Sequence, residues 1–178
     1  MLHIRLRLGR RKERDGKMQL QLLAICVCTT LFFFGGCVNS KQTDNPDLNS
    51  VMDEYLSTGL LPLCPDSPNC VCSEDLEQKS HVAPLTFTGE TQKAWQILQD
   101  LVAEMGGEIQ VVDDSFLHAT FRSRVFGFID DLNCRLDEDN KRIYMRSASR
   151  VGYSDFGVNR KRVESVKEHF GESMKKNL

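Results

Sequence analysis

Phe128-Ile129-Asp130-Asp131-Leu132-Asn133-Cys134-Arg135-Leu136, then Asp137-Glu138-Asp139-Asn140-Lys141, then Arg142-Ile143-Tyr144-Met145-Arg146-Ser147-Ala148-Ser149: these 22 residues decide the fold. Leu132, Cys134 and Leu136 alternate with polar residues, as do Ile143 and Met145, which is the period of a half-buried strand. The polar run between them is a hairpin loop. Pairing Leu136 with Ile143 sets Cys134 opposite Met145, Leu132 opposite Ser147 and Asp130 opposite Ser149. One face of this hairpin is therefore apolar at the loop end and polar at the open end.

The pattern extends outward on both sides. Residues 116–123 form the preceding strand, with Leu117, Ala119, Phe121 and Ser123 on the same face, and 108–113 form the strand before it. Residues 90–105 form a helix: Trp95, Leu98, Leu101, Val102 and Met105 share a stripe, and Gly106-Gly107 ends it. Residues 81–87 form a short strand that Pro84 confines to a sheet edge. After the hairpin, Ser154 or Asp155 caps a closing helix to about residue 174, with Phe156, Val163, Val166 and Phe170 inward. The expected class is α+β: an antiparallel β-sheet of order β-α-β-β-β-β-α with the helices packed on one face. Such an order resembles TATA-binding-protein-like and helix-grip folds, which implies no function.

At the open end of the hairpin the inner face gathers Ser123, Asp130, Ser147 and Ser149. A carboxylate on a face of Phe, Leu and Cys must be paired, protonated or wet, because an unpaired buried charge costs several kcal/mol. Partners are close at hand, since residues 122–162 hold eight arginines against two lysines. Arginine favours planar, bidentate pairing with carboxylate or phosphate. Two readings follow. In one, Asp130, Asp131 and Asp155 form structural ion pairs with Arg146, Arg150 and Arg160. In the other, Ser123, Asp130, Asp131, Arg146, Ser147, Ser149, Arg150, Asp155, Asn159 and Arg160 line a cleft for an anionic ligand. Catalysis by Asp130 or Asp131 is a third.

The amino-terminal region carries a different message. Seven Lys/Arg in the first 17 residues precede an uncharged apolar run, 22–34, which ends in Phe34-Gly35-Gly36-Cys37. Basic flank, short apolar core and small residues describe a secretory signal peptide, too short to span a bilayer. With cysteine next, the segment resembles a lipobox, which implies cleavage before Cys37 and a lipid on its sulfur. Multiple acyl chains anchor stably. An uncleaved anchor helix, or a start at Met18, is the alternative. Val38 after the cysteine favours the outer membrane in a Gram-negative cell. The expected division is 1–36 signal peptide, 37–59 polar tether and 60–178 a single domain.

Removing residues 1–36 leaves 16 Lys/Arg against 23 Asp/Glu, where the whole chain has a formal charge of −2. An acidic exported protein is a poor binder of nucleic acid. Export also bears on the thiols. Residues 63–73 hold two prolines, Asp, Ser and Asn, and read as turns rather than helix or strand. A Cys64–Cys70 disulfide would staple that loop. A zinc site of Cys64, Cys70, Cys72 and His81 has the residue types but not a usual spacing. Cysteine–histidine catalysis would need a depressed thiol pKa, and residues 137–140 lack the glycine and distal glutamate of a calcium loop. No phosphate loop or nucleophile elbow occurs, so no cofactor or metal is expected.

Three stretches carry a family resemblance: Cys64 to Val71, Phe126 to Asp131, and Arg146 to Glu164. From about Leu61 to Phe170 the chain is identified as a member of the domain-of-unknown-function 1499 family, with Cys72 standing where that pattern has Ser. The family implies no activity. The expected function is a non-catalytic binding or assembly lipoprotein of the cell envelope, with membrane, an anionic small molecule, lipid or an envelope protein as partner. The alternative is a small hydrolase or transferase using Asp130 and Asp131.

Overall fold

A computed structural model describes residues 46–77 and 79–176. The residues expected to form the signal peptide, Cys37 and the first part of the expected tether lie outside them. The elements are α1 (Pro46–Thr58), β1 (Cys70–Cys72), β2 (Leu85–Thr86), α2 (Thr91–Glu104), β3 (Glu108–Val112), β4 (Phe116–Arg122), β5 (Ile129–Asp137), β6 (Arg142–Ser149) and α3 (Val158–Lys176). The strands form one six-stranded antiparallel sheet in the order β1-β6-β5-β4-β3, with β2 beside β1 on the same edge of β6.

The decisive hairpin pairs as its side-chain alternation requires: Leu136 with Ile143, Cys134 with Met145, Leu132 with Ser147 and Asp130 with Ser149. A one-residue slip would have turned every one of these side chains to the other face. On the inner face α2 and α3 bury Trp95, Leu98, Val102, Val163, Val166 and Phe170 against Leu117, Leu132, Ile143 and Met145. Each such side chain contributes about 1.5–3 kcal/mol by leaving water. Helix α2 stops at Gly106, which takes φ +86. The next residue must also be glycine for a different reason. A Cβ at Gly107 would sit 2.7 Å from the Phe121 ring and 2.9 Å from the Val102 carbonyl oxygen.

Four expectations are corrected. The polar tether ends earlier than residue 59, because its second half is α1. Val51 is buried with Leu61, Cys72 and Phe116, and Tyr55 stacks on Phe116 with centroids 4.7 Å apart. The compact unit thus includes α1, its short Val51/Tyr55 stripe hidden among Asn, Asp and Ser. Helix α1 packs on the outer face, so the helices do not all share one side. Cys70-Val71-Cys72 is a strand rather than loop, formed because the edge of β6 offers Arg146 to Ala148 as partners. Finally, Phe156 points away from the core and is 91% exposed. Asp155 caps the closing helix instead, accepting from the backbone N–H of Gly157 at 2.9 Å and Asn159 at 2.7 Å.

Candidate functional site

The polar end of the inner face is a closed hydrogen-bond network. Asp130 accepts from Ser149 Oγ at 2.6 Å through one oxygen and from Arg162 Nη2 at 2.6 Å through the other. Arg162 Nη1 donates to Ser147 Oγ at 3.0 Å and to Asn159 Oδ1 at 2.5 Å. Ser147 Oγ donates to Asn159 Oδ1 at 2.7 Å. Asn159 Nδ2 donates to Ser149 Oγ at 2.9 Å and to the Asn69 carbonyl at 3.0 Å. Asn69 Nδ2 in turn donates to the Gly152 carbonyl at 2.6 Å. The Arg162 guanidinium also lies over the Phe121 ring. Both oxygens of the buried carboxylate accept a hydrogen bond, one of them from a guanidinium.

Sequence reasoning placed Asp130, Ser147 and Ser149 together and was right to demand a partner for Asp130. It named the wrong arginine. Asn159 and Arg162 lie one turn apart on α3 and reach the sheet together. Asn159 was among the candidates named from sequence, but Arg162 was legible only once the face that α3 presents was known. Asn69 had no signal beyond its turn-forming type and its place in the Cys64 to Val71 stretch. Ser123 does not join the cluster. Residue 121, not 123, is the Cα partner of Asp130, and Ser123 Oγ instead accepts from the Phe128 backbone N–H at 3.1 Å within the hairpin.

Asp131 follows Asp130 along the strand and so faces the other way. Its carboxylate takes a two-pronged contact from Arg150, Nε at 2.8 Å and Nη2 at 2.7 Å, and lies 3.3 Å from His118 Nε2. His118 Nδ1 is 2.7 Å from Asn133 Oδ1. Next to Asn133 across the strand pair stands Arg146. It is 8% exposed, and among the described residues its Nε and Nη1 find no hydrogen-bond partner, nor does Asn133 Nδ2. The proposed ion pair of Arg146 with the aspartates is therefore not formed. Among the described residues Arg160 is not paired with a carboxylate either: it donates to the His81 carbonyl at 2.9 Å and the Lys79 carbonyl at 2.6 Å.

Asp155 and Arg160 do line an opening. A groove of about 240 Å³ runs between the 65–71 loop, Lys79-Ser80 and the approach to α3. Pro65, Asp66, Ser67, Pro68, Cys70 and Val71 form one wall; Tyr153, Asp155, Gly157 and Arg160 form the other. The first wall is braced by the Cys64–Cys70 disulfide, which also removes two of the four ligands of the zinc alternative. Behind the lining residue Ser80, whose Oγ donates to it at 2.7 Å, lies Asp75: backbone hydrogen bonding from Glu77 above all, with that Ser80 contact, holds its carboxyl below the ordinary 3.8. Lys79 pairs with Asp66 at the exposed rim.

Cys72 and Cys134 are free and buried. Burial raises both thiols above their ordinary value, for Cys72 against a weaker opposing pull that includes Arg146. Neither is an activated nucleophile. Among the described residues no group of three or more His, Cys, Asp and Glu could hold a metal ion, and no helix is long and apolar enough to cross a membrane.

A six-stranded antiparallel sheet with a polar network knitting it to its last helix defines an α+β domain with a solvent-open groove. The chain belongs to the family described as Protein of unknown function (DUF1499), whose pattern matches residues 60–170. No curated protein and no solved structure matches it. All three stretches that carried the resemblance meet in the network, through Asn69, Asp130, and Ser147, Ser149, Asn159 and Arg162. Two of them also supply ten of the groove's twelve lining residues.

Proposed function

We propose that this protein is a non-catalytic binding module of the cell envelope, held to a membrane by lipid on Cys37, with its ligand seated in the groove beside Arg160. One observation carries the reading. Arg160 forms part of the groove wall, yet its partners are two backbone carbonyls, which satisfy N–H groups without neutralising the charge. An acidic group on a ligand would do so. The exposed Tyr153 ring and the proline–disulfide wall offer flat, apolar contact for the rest of the molecule.

The catalytic alternative finds less support. Asp130 and Asp131 project to opposite faces of the sheet, each bonded to its own arginine. That geometry gives the pair no common substrate. The envelope location rests on residues 1–37: basic flank, short apolar core and Gly35-Gly36-Cys37. Incorporation of labelled palmitate, with loss of the amino terminus by mass spectrometry, is the expected result; an intact, unlabelled chain would overturn that part. For the groove, the full chain is extracted gently from its native envelope and its bound small molecules identified. An acidic compound present with the native chain and absent from a folded Arg160→Glu variant is expected. Identical bound material from both, or none from either, would overturn the groove reading.

A further inference from the structure

Where β4 turns into β5 and β6 runs out, two loops hold apolar side chains in water. Val125, Phe126 and Phe128 stand on the hairpin; Val151, Tyr153 and Phe156 stand on the approach to α3. The loops leave from neighbouring strands, which the Arg150 N–H joins to the Ile129 carbonyl at 3.1 Å. Phe126 is 75% exposed and stacks on Phe128 with centroids 5.6 Å apart. Phe156 combines near-complete exposure with φ +55, in the left-handed region that a bulky side chain seldom adopts. Neither the strained backbone nor the wet ring helps the chain fold, and such costs gather at sites of contact.

Charge says what is contacted. From Arg122 to Phe128 there are two arginines and no acid; the second loop's one acid, Asp155, is committed to the helix cap. Arg122, Arg124 and Lys161 are exposed, and none forms an ion pair among the described residues. The chain as a whole is acidic, so this end is a basic exception on it. Aromatic rings beside unpaired arginines match the interface of an anionic bilayer, where rings lie at headgroup depth and guanidinium groups meet lipid phosphates. We infer that this loop end docks directly on an anionic lipid surface, orienting the domain on the membrane rather than leaving it to hang from its amino terminus. A protein partner would accept the rings, but gives no reason for the exposed arginines beside them, whose neighbouring carboxylates are committed elsewhere. The inference does not depend on what the groove holds.

Fluorescence of the full chain incorporated into vesicles tests it. Trp95 is 2% exposed within the core and is a silent background, so Phe156→Trp reports on the loop. In vesicles of phosphatidylethanolamine with phosphatidylglycerol, brominated acyl chains should quench the new residue. Reversing Arg122 and Arg124 to Glu should weaken that contact by at least about fivefold for each charge. Leu76→Trp, 96% exposed on the loop that leaves β1 in the opposite direction, should remain unquenched. Phe156→Trp behaving like the native chain, equal quenching of Leu76→Trp, or indifference to the arginine reversals would each overturn the inference.

Discussion

The two faces of the sheet meet the same problem, a buried charge beside β5 and β6, and resolve it differently. On the inner face Asp130 is enclosed by donors from β6 and α3 and by an arginine whose own N–H groups are shared among three acceptors. On the outer face Asp131 is as well served, by Arg150 and His118, but Arg146 two strand positions away leaves Nε and Nη1 without a hydrogen-bond partner among the described residues. The difference teaches that an arginine-rich stretch is not one cluster. Alternation splits it between faces, and only the face with a helix of matching polarity closes its network.

Removing each arginine should sharpen that contrast most. Arg162→Met strands Asp130 as a buried, uncompensated carboxylate and should cost about 3–5 kcal/mol in urea unfolding. Arg146→Met replaces a buried cation that has incomplete hydrogen bonding with an apolar chain of similar reach, and should be neutral or stabilising. Equal losses from the two would erase the distinction between the faces. Opening the groove wall comes next: replacing Cys64 and Cys70 together with Ser should cost about 2 kcal/mol, the value for so short a closed loop, while leaving the inner network intact. Arg160→Ala removes two solvent-facing hydrogen bonds between α3 and the 79–81 segment and should cost roughly 1 kcal/mol, far less than Arg162→Met two residues later on the same helix.

The smallest effect is one of pH. The Asp75 carboxyl titrates below its unfolded value of 3.8. Its contribution is present above that pH and is lost as pH falls through the folded value. An acid titration of the unfolding midpoint should therefore fall less steeply below about pH 4 in Asp75→Asn than in the native chain. Parallel titrations would show that the Asp75 contacts with Glu77 and Ser80 do not contribute to stability.

How much of this was legible follows from how local each cause is. The strands, the α2 stripe and the whole β5–β6 register came from alternation and helical spacing, which need only neighbouring residues. The Cys64–Cys70 bridge came from a turn-rich loop too costly to order unstapled. Strand β1 was missed because its three residues acquire strand geometry only from the edge of β6; of helix α1 only Met52 to Leu56 reads as a helical turn from the sequence, because its apolar stripe is sparse and its packing comes from the outer-face pocket that receives Val51. Ser123 was misplaced because the β4–β5 turn sets a register in which Phe121, not Ser123, meets Asp130.

By itself, then, the amino-acid order determined the sheet's central pairing, the face on which Asp130 stands, and the requirement that something cationic or hydrogen-bonding meet it. Which cation does so was decided only by the packing of α3, because Arg146, Arg150, Arg160 and Arg162 are chemically equivalent until a helix and a twisted sheet set their distances. The same holds for the groove: Asp66, Lys79, Tyr153 and Arg160 are far apart along the chain, and a concave surface between them exists only where the disulfide loop and the approach to the last helix come together.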